Sequence, residues 1–160
     1  MSKTRPVSGA AVVPGRVAVV RARWNDAITA ALARGAVETA RAAGAEIEEH
    51  EVDGAFELPA AVALLARSGR FVAVVPVGCL IRGETPHFDV LARAVSAELI
   101  ALSTRESCAI TFGVLTCDSV EQATARAGGS EGNKGAEAMA AALGLVALRR
   151  QVAAGPRRGE

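Results

Sequence analysis

Apolar and polar positions follow one another along the chain in two different spacings. Short apolar runs rich in valine and alanine are typical of buried strands, and between them apolar residues recur at the spacing of amphipathic helices. The predicted strands span residues 16–20, 46–52, 71–77 and 108–115, and the predicted helices span 27–43, 58–67, 88–103, 120–126 and 134–152. Because strands and helices alternate, we expect one α/β domain over residues 1–160, a three-layer α/β/α sandwich with a four-stranded parallel sheet and helices on both faces.

Residue types that start or stop helices mark several of these boundaries. Asp26 and Ser119 can cap the helices that follow them, Gly44 can end the first helix, and Pro59 is tolerated in the first turn of the second. Pro76 cannot donate a hydrogen bond to a neighbouring strand, so we expect it at the end of the third strand.

The two ends of the chain are expected to lie outside the core. Residues 1–15 are predicted to form an N-terminal arm, in which the run AAVV at 10–13 can add a strand to a sheet. Residues 154–160 are expected to be a disordered tail. Within the domain, the glycine-rich AGGSEGN at 127–133 separates the last two helices.

Composition narrows the possible classes of function. With 18 Lys and Arg residues against 17 Asp and Glu, the net charge of +1 provides no field that would attract nucleic acid or an anionic membrane, and there is no tyrosine. The three cysteines form no C-x-x-C pair and predict reduced thiols in the cytoplasm. His50 and His87 have no partner at i, i+4, so no metal site is predicted. No signal peptide or membrane span is expected from the N-terminal residues.

The loops that follow the predicted strands carry the unusual residues. In open parallel sheets, ligands bind at the edge where the strands end, and the four loops there are RARWND, DGAFELP, GCLIRGETPHFD and LTCDS. Trp24, the single tryptophan, can stack on a planar ligand or pack in the core. Glu57 can bind a ligand, or its charge can simply interact with the positive end of the next helix dipole. Gly54 would let the backbone approach a ligand.

The third of these loops concentrates hydrogen-bond donors. Arg82 and Thr85, with the free amides of the next helix, can hold an anion, and His87 can transfer protons near neutral pH. The alternative is an inert surface histidine. Arg126 and Lys134 flank the glycine-rich segment and form a second candidate anion site. The alternative is that these cations only face the carbonyl dipoles at helix ends. GGSEGNKG lacks the G-K-[ST] ending of a P-loop.

From the residues alone, we predict a cytosolic α/β enzyme that acts through His87 on a planar substrate carrying phosphate or hydroxyl groups. Cys79 and Cys117 lie at strand ends, where a nucleophile could stand. Neither belongs to a known histidine and acid signature, so we interpret both as bystanders.

Six segments in order resemble the lumazine synthase family of riboflavin biosynthesis: RWNDAIT, GAFELP, GCLIRGETPHFD, FGVLTCD, EQATARAG and GNKGAEA. The resemblance implies a flavodoxin-like fold and an enzyme without metal or organic cofactor. It also implies the reaction of 5-amino-6-(ribitylamino)uracil with 3,4-dihydroxy-2-butanone 4-phosphate, which gives 6,7-dimethyl-8-ribityllumazine. The chain departs from the family pattern at Pro76 and Val77, where alanine and leucine are usual, and at Cys117, where threonine is frequent.

The resemblance also implies a role for individual residues. His87 corresponds to the family's proton donor, with Asp89 placed to orient its imidazole. The residues expected to hold the pyrimidine and its ribityl chain are Trp24, Ala55, Phe56, Glu57, Cys79, Leu80, Ile81, Phe112 and Lys134. Those expected to hold the phosphate are Glu84, Thr85 and Arg126. Phe112 and Arg126 are expected from a neighbouring subunit, with Lys134 and Glu137 near that site.

Assembly and two other classes of function complete the expectations. The family forms pentamers, some of which pack as twelve into a 60-subunit shell; RAGGSEGNKG has no insertion, which favours the shell, and riboflavin synthase is an expected partner. A non-catalytic flavin- or lumazine-binding protein would be expected to lose His87 or Arg126, and a structural cage subunit would not need the ligand loops. A flavodoxin-like electron carrier would need a phosphate loop rich in serine and threonine, which RARWND is not.

Overall fold

Strands and helices alternate throughout residues 15–156, the part of the chain that the computed structural model describes. The strands are β1 Arg16–Ala22, β2 Glu46–Val52, β3 Ala73–Ile81, β4 Ala109–Ile110, β5 Gly113–Cys117, β6 Ala127–Gly129 and β7 Gly132–Asn133. The α-helices are α1 Asp26–Ala42, α2 Leu58–Arg67, α3 His87–Arg105, α4 Val120–Arg126 and α5 Lys134–Ala153, and a 3₁₀ turn spans Ala55–Glu57. The predicted strand at 10–13 and residues 157–160 of the predicted tail lie outside the described residues.

The main sheet is parallel and has two separate cores. Its strand order is β2-β1-β3, with β4 and β5 sharing the position on the other side of β3. Alternate side chains of β1 point to opposite faces: Val17 and Val19 pack with α1 and α5, whereas Ala18 and Val20 pack with α2 and α3. The predicted three-layer α/β/α sandwich is therefore confirmed. No helix within residues 15–156 has the length and apolar character needed to cross a membrane.

Ion pairs at both ends of the β1–β2 pair coincide with its register. Arg16 lies opposite Glu46 and Arg21 opposite Glu51 in the parallel ladder, and each arginine forms an ion pair with that glutamate. Arg21 also binds Asp26 at the start of α1. Hydrogen bonds from Asp26 and Glu51 raise the pKa of the Arg21 guanidinium above its ordinary value. Charge and register therefore agree along this edge of the sheet.

The expectation that Pro76 ends a strand is wrong, because β3 continues through it to Ile81. The missing donor is accommodated by the neighbouring strand instead. The residues opposite Val75 and Pro76 are Thr111 and Phe112, the two residues that separate β4 from β5. A Cβ added to Gly113 would stand 2.6 Å from the carbonyl oxygen of Pro76, so Pro76 turns its main-chain polar groups toward this gap. Since proline has no N–H to offer there, the pairing breaks and Phe112 leaves the sheet.

Helix starts follow the predicted chemistry at one position and not at another. Ser119 caps α4 as predicted, and its hydroxyl accepts a hydrogen bond from the main-chain nitrogen of Gln122 at 3.3 Å. For α1 the cap is Asn25 rather than Asp26, which is the first helical residue. Asn25 has a left-handed backbone with φ 60°, a conformation that asparagine tolerates better than most residues.

Two glycines allow α1 and α5 to dock closely. The side chain of Asn133 occupies the space above Gly35, donates to the carbonyl oxygen of Ala31 at 2.9 Å and accepts from the nitrogen of Ala136 at 3.0 Å. At Gly135, an added Cβ would stand 2.6 Å from the carbonyl carbon of Leu32. The GNKG segment therefore rests directly on the backbone of α1, and this contact determines where α5 and its first residue begin.

Candidate active site

The loops after β1 and β2 form one wall of a cluster at the carboxyl edge of the sheet. Trp24 follows β1, and its main-chain nitrogen donates to the carbonyl oxygen of Asp53 at 3.2 Å. Its indole lies beside Gly54, where an added Cβ would stand 3.4 Å from Cδ1. The side chain is 73% exposed, so Trp24 is not a core residue and can stack on a planar ligand.

The 3₁₀ turn after β2 places Glu57 beside that tryptophan, since a Cβ added to Gly54 would stand 3.2 Å from Oε2 of Glu57 and 3.4 Å from Cδ1 of Trp24. The main-chain N–H of Gly54 donates to Oε2 of Glu57 at 2.9 Å, so this carboxylate supports the turn with one oxygen. Its Oε1 has no hydrogen-bond partner within residues 15–156 and can accept from a ligand hydroxyl. Phe56 is exposed, whereas Ala55 is buried and can offer only its backbone.

The end of β3 forms the floor of the same cluster. Cys79 is buried, while Leu80 and Ile81 are half-buried. Burial raises the pKa of the Cys79 thiol to about 12, and it also raises the pKa of Cys117. Both thiols are therefore protonated at neutral pH, which agrees with their interpretation as bystanders, and Cys79 can contribute to a ligand site only through its main chain.

Asn25 joins two walls of the cluster, and the sequence patterns do not single it out. Its Nδ2 donates to the carbonyl oxygen of Cys79 at 2.9 Å, and its own carbonyl oxygen accepts from the nitrogens of Ile28 and Thr29, each at 3.0 Å. This residue thus ties the end of β1 to the end of β3 and starts α1. Its proximity to a strand end was the available signal.

Replacing Asn25 tests this link. Asn25→Gly keeps a residue that tolerates the left-handed backbone but loses the bond to Cys79, so we expect the free energy of unfolding to fall by about 1 kcal/mol. Asn25→Asp also tolerates the backbone, yet it sets a carboxylate against the Cys79 carbonyl oxygen, so a larger loss is expected. Chemical denaturation measures both, and equal stability of the three proteins would contradict the link.

The side chain of Arg82 in the third loop is bound by two carboxylates. Its Nε donates to Oδ1 of Asp118 at 2.8 Å, its Nη1 donates to Oδ2 of Asp89 at 3.0 Å, and its Cζ lies 4.3 Å from the ring centroid of Phe88. Hydrogen bonds from Asp118 and Asp89 raise the pKa of Arg82 above its ordinary value. Asp89 therefore pairs with Arg82 rather than with the imidazole of His87, contrary to the expectation from the sequence.

His87 is the first residue of α3 and is exposed. Its main-chain N–H donates to the hydroxyl oxygen of Thr85 at 3.4 Å. Within residues 15–156, neither imidazole nitrogen has a hydrogen-bond partner, so both are available to a ligand. Glu84 and Thr85 are exposed beside it at the positive end of α3.

A second group of predicted residues lines a groove between α3 and α5. Phe112, which is 46% exposed, lies on its wall with Lys134 and Glu137, and the groove has a volume of about 580 Å³. The Nζ of Lys134 is 2.9 Å from each carboxylate oxygen of Glu137. On α3 the lining begins at Ser96, nine residues after His87 and hence about 14 Å further along the helix axis. A single chain does not bring the two groups together.

Arg126 ends α4. Its Nη1 donates to the carbonyl oxygen of Gln122 at 3.0 Å, so it meets the negative end of its own helix as the alternative interpretation expected. Its charge opposes the effect of burial on the pKa of Cys117, which places it near the end of β5. It forms no ion pair with a carboxylate of the described residues, and its remaining donors can bind an anion.

Comparison with known proteins identifies the family of this chain. The family model of 6,7-dimethyl-8-ribityllumazine synthase matches residues 14–150. The chain is 47% identical over 141 residues to the 6,7-dimethyl-8-ribityllumazine synthase of Corynebacterium glutamicum (strain R), with 87% of each chain covered. It is 44% identical over 136 residues to that of Gemmatimonas aurantiaca, with 83% of each covered, and 41% identical over 146 residues to that of Anaeromyxobacter sp. (strain K), with 89% of this chain and 90% of the relative covered. The chain belongs to the 6,7-dimethyl-8-ribityllumazine synthase family.

Proposed function

We propose that the chain condenses 5-amino-6-(ribitylamino)uracil with 3,4-dihydroxy-2-butanone 4-phosphate to form 6,7-dimethyl-8-ribityllumazine in riboflavin biosynthesis. Family membership supports the reaction. The observation that carries the proposal onto this chain is the cluster at the carboxyl edge of the sheet. There an exposed indole, a carboxylate and an imidazole follow three adjacent strands. Among residues 15–156, one oxygen of that carboxylate and both nitrogens of that imidazole have no hydrogen-bond partner.

The pyrimidine site lies between the first two walls of that cluster. The ring stacks on Trp24, whose face is open to solvent. The ribityl hydroxyls bind the backbone of residues 54–56 and Oε1 of Glu57, since each hydroxyl both donates and accepts. The pairing of β3 with β1 ends at Val77, so Cys79, Leu80 and Ile81 have no strand beside them on that side. The carbonyl oxygen of Cys79 accepts from Asn25, and the other main-chain groups on that side contact the polar edge of the ring.

The phosphate site lies at the start of α3. The turn at Glu84 and Thr85 presents main-chain amides and one hydroxyl, and the first amides of the helix add a positive dipole. Glu84 contributes through its main chain, because its own carboxylate carries the same sign of charge as phosphate. Arg126 provides the cation that this turn lacks.

His87 moves the protons of the reaction. An aryl amine attacks the ketone and water leaves to give an imine, and phosphate is then eliminated. The ribitylamino nitrogen next attacks the remaining carbonyl, and loss of a second water closes the ring of the product. Each step needs a proton delivered or removed, and an imidazole can both donate and accept one. Holding the two substrates in register supplies much of the acceleration, and Arg126 stabilises the departing phosphate.

The site is completed by a second subunit. Phe112 and Lys134 line a groove that is separate from the His87 cluster in one chain, so we assign them to the site of a neighbour. We assign Arg126 to the neighbour's site as well, as the family resemblance implies. The assembly is a pentamer. Because the chain has no insertion at 126–135, twelve pentamers are expected to form a shell. Riboflavin synthase is the proposed partner, and the cytoplasm, where three free cysteines stay reduced, is the proposed location.

The test follows the fluorescence of the lumazine formed from the two substrates. We expect the wild-type protein to exceed the uncatalysed rate, and His87→Ala to lower kcat about 10²-fold while pyrimidine affinity stays within about twofold, because it removes only the proton carrier. His50→Gln, which changes the chain's other histidine on the edge strand β2, is the control and should keep full activity. No acceleration by folded wild-type protein would sink the proposal, and full activity of His87→Ala would remove the histidine from the chemistry.

A further inference from the structure

Arg82 connects three elements around the loop that carries the phosphate turn and His87. Its main-chain nitrogen donates to the carbonyl oxygen of Cys117 at 2.9 Å, which extends the pairing of β3 with β5 by one residue. Its side chain binds Asp118, in the turn between β5 and α4, and Asp89, in the first turn of α3. The guanidinium also stacks on Phe88. The strand end, the helix start and the adjacent turn are thus held by one side chain.

The loop that this arrangement encloses is short. Residues 83–87 lie between Arg82 and Phe88, and they include Glu84, Thr85 and His87. Both ends of the segment touch the same guanidinium, since Arg82 precedes it and Phe88 follows it. The position of the phosphate turn and of the imidazole therefore depends on whether this side chain keeps its contacts.

The charges around Arg82 argue against its binding phosphate directly. One guanidinium carries +1 and its two carboxylate partners carry −2, so the three groups sum to −1. Glu84 adds a further negative charge in the same loop. A phosphate dianion gains little from a cation already paired in this way, and it would compete with two carboxylates for the same donors.

We infer that Arg82 is a positioning residue, which holds residues 83–87 through Asp118 and Asp89, and that it is not a ligand of the substrate phosphate. The inference rests on the proposed function for its kinetic readout alone. Arg82 acts through the geometry of its planar fork, because two carboxylates in different elements are bound by different nitrogens. A lysine keeps the charge but cannot reproduce that geometry.

The experiment compares Arg82→Gln, Arg82→Lys, Asp118→Ala and the double variant Arg82→Gln/Asp118→Ala. Asp118 is suited to truncation, since its side chain is 66% exposed and its other hydrogen bond, to Gln122, uses the main chain. We expect each variant to lower kcat/KM for the butanone phosphate at least about tenfold, with pyrimidine affinity within about twofold. The double variant should be no worse than Arg82→Gln, because both changes break the same contact.

Hydrogen exchange of the amides in residues 83–87, measured on the full protein without substrates, gives a readout that does not depend on the reaction. Faster exchange is expected in Arg82→Gln, Arg82→Lys and Asp118→Ala. The matched control is Arg16→Gln. Like Arg82, Arg16 is 44% exposed and pairs with a carboxylate, but it lies at the start of β1, away from the carboxyl edge of the sheet. It should change neither the exchange nor the kinetics.

If Arg82 bound the substrate phosphate directly, the variants would behave differently. Asp118→Ala would then leave use of the butanone phosphate unchanged or improve it, because a negative charge has been removed, and Arg82→Lys would retain most of the activity. Either of these results would overturn the inference. So would an additive loss in the double variant, or unchanged hydrogen exchange in residues 83–87. If Arg82→Gln does not fold, Asp118→Ala decides alone. An inactive wild-type protein would defeat the proposed function, while the exchange data would still decide the role of Arg82.

Discussion

Replacing Gly135 by alanine is expected to leave the chain without a stable fold. The new Cβ would overlap the carbonyl group of Leu32 and stand 3.0 Å from its Cα, and both partners are backbone. No change of rotamer can relieve the clash, so α5 must withdraw from α1 and open the core between them. Added groups in a packed core typically cost about 1–3 kcal/mol, and a clash between two main chains should exceed that range. Total stabilities are only about 5–15 kcal/mol.

Gly144→Ala is the matched control for that variant. Gly144 lies in the same helix, and an added Cβ meets nothing within 4 Å in the described chain. Alanine is better than glycine in a helix by about 1 kcal/mol, so a slight gain in stability is expected. Circular dichroism and chemical denaturation separate the two cases. A Gly135→Ala protein as stable as wild type would show that α1 and α5 do not dock as described.

The second large effect is expected from Arg126→Ala. We expect kcat/KM for the butanone phosphate to fall about 10²–10³-fold, because in the proposed site the variant removes the cation that binds the phosphate and stabilises its departure. Affinity for the pyrimidine should change by no more than about twofold, since the Trp24 wall is untouched. Arg126→Lys should recover part of the loss. Steady-state kinetics with each substrate varied in turn provides the measurement, and equal loss of both affinities would contradict the phosphate assignment.

Mixing two inactive proteins tests whether Arg126 serves a neighbour's site. His87→Ala and Arg126→Ala subunits, dissociated and reassembled in equal amounts, should regain about a quarter of wild-type activity. In a ring with random order, about a quarter of the interfaces unite an intact His87 with an intact Arg126. If both residues acted within one chain, no mixture would recover activity. A stable monomer in sedimentation would likewise exclude the shared site.

Local patterns were sufficient for the layers of this fold and for most of the carboxyl-edge cluster. Strand and helix spacing depends on which residues face a core, so the alternation of elements and the loops that follow them could be predicted from residues near each other in sequence. The choice between a core and a surface position for Trp24 needed one further fact, its exposure, because a tryptophan beside a strand end fits either place.

The features that were not predicted depend on partners far away in sequence. Pro76 is tolerated inside β3 because the opposite strand breaks at residues 111–112, and no property of β3 itself shows this. The ion pairs of Arg82 were not predicted, because one of its carboxylate partners, Asp118, lies 36 residues away. Asn25 replaced Asp26 as the cap because its amide also reaches Cys79 on the neighbouring strand β3, 54 residues away. Each outcome was decided by tertiary contacts that compete with a local preference.

The ion pairs between β1 and β2 also affect the route by which the chain reaches this structure. The two strands are parallel, so they meet only after the chain between them has closed a loop, and such pairings form slowly. A slip of one residue would set Arg16 opposite Ile47 and Arg21 opposite Val52 and would leave both guanidinium groups without their carboxylates. Misaligned intermediates are therefore less stable than aligned ones from the first encounter, and the search for the native alignment is shortened before the helices have packed.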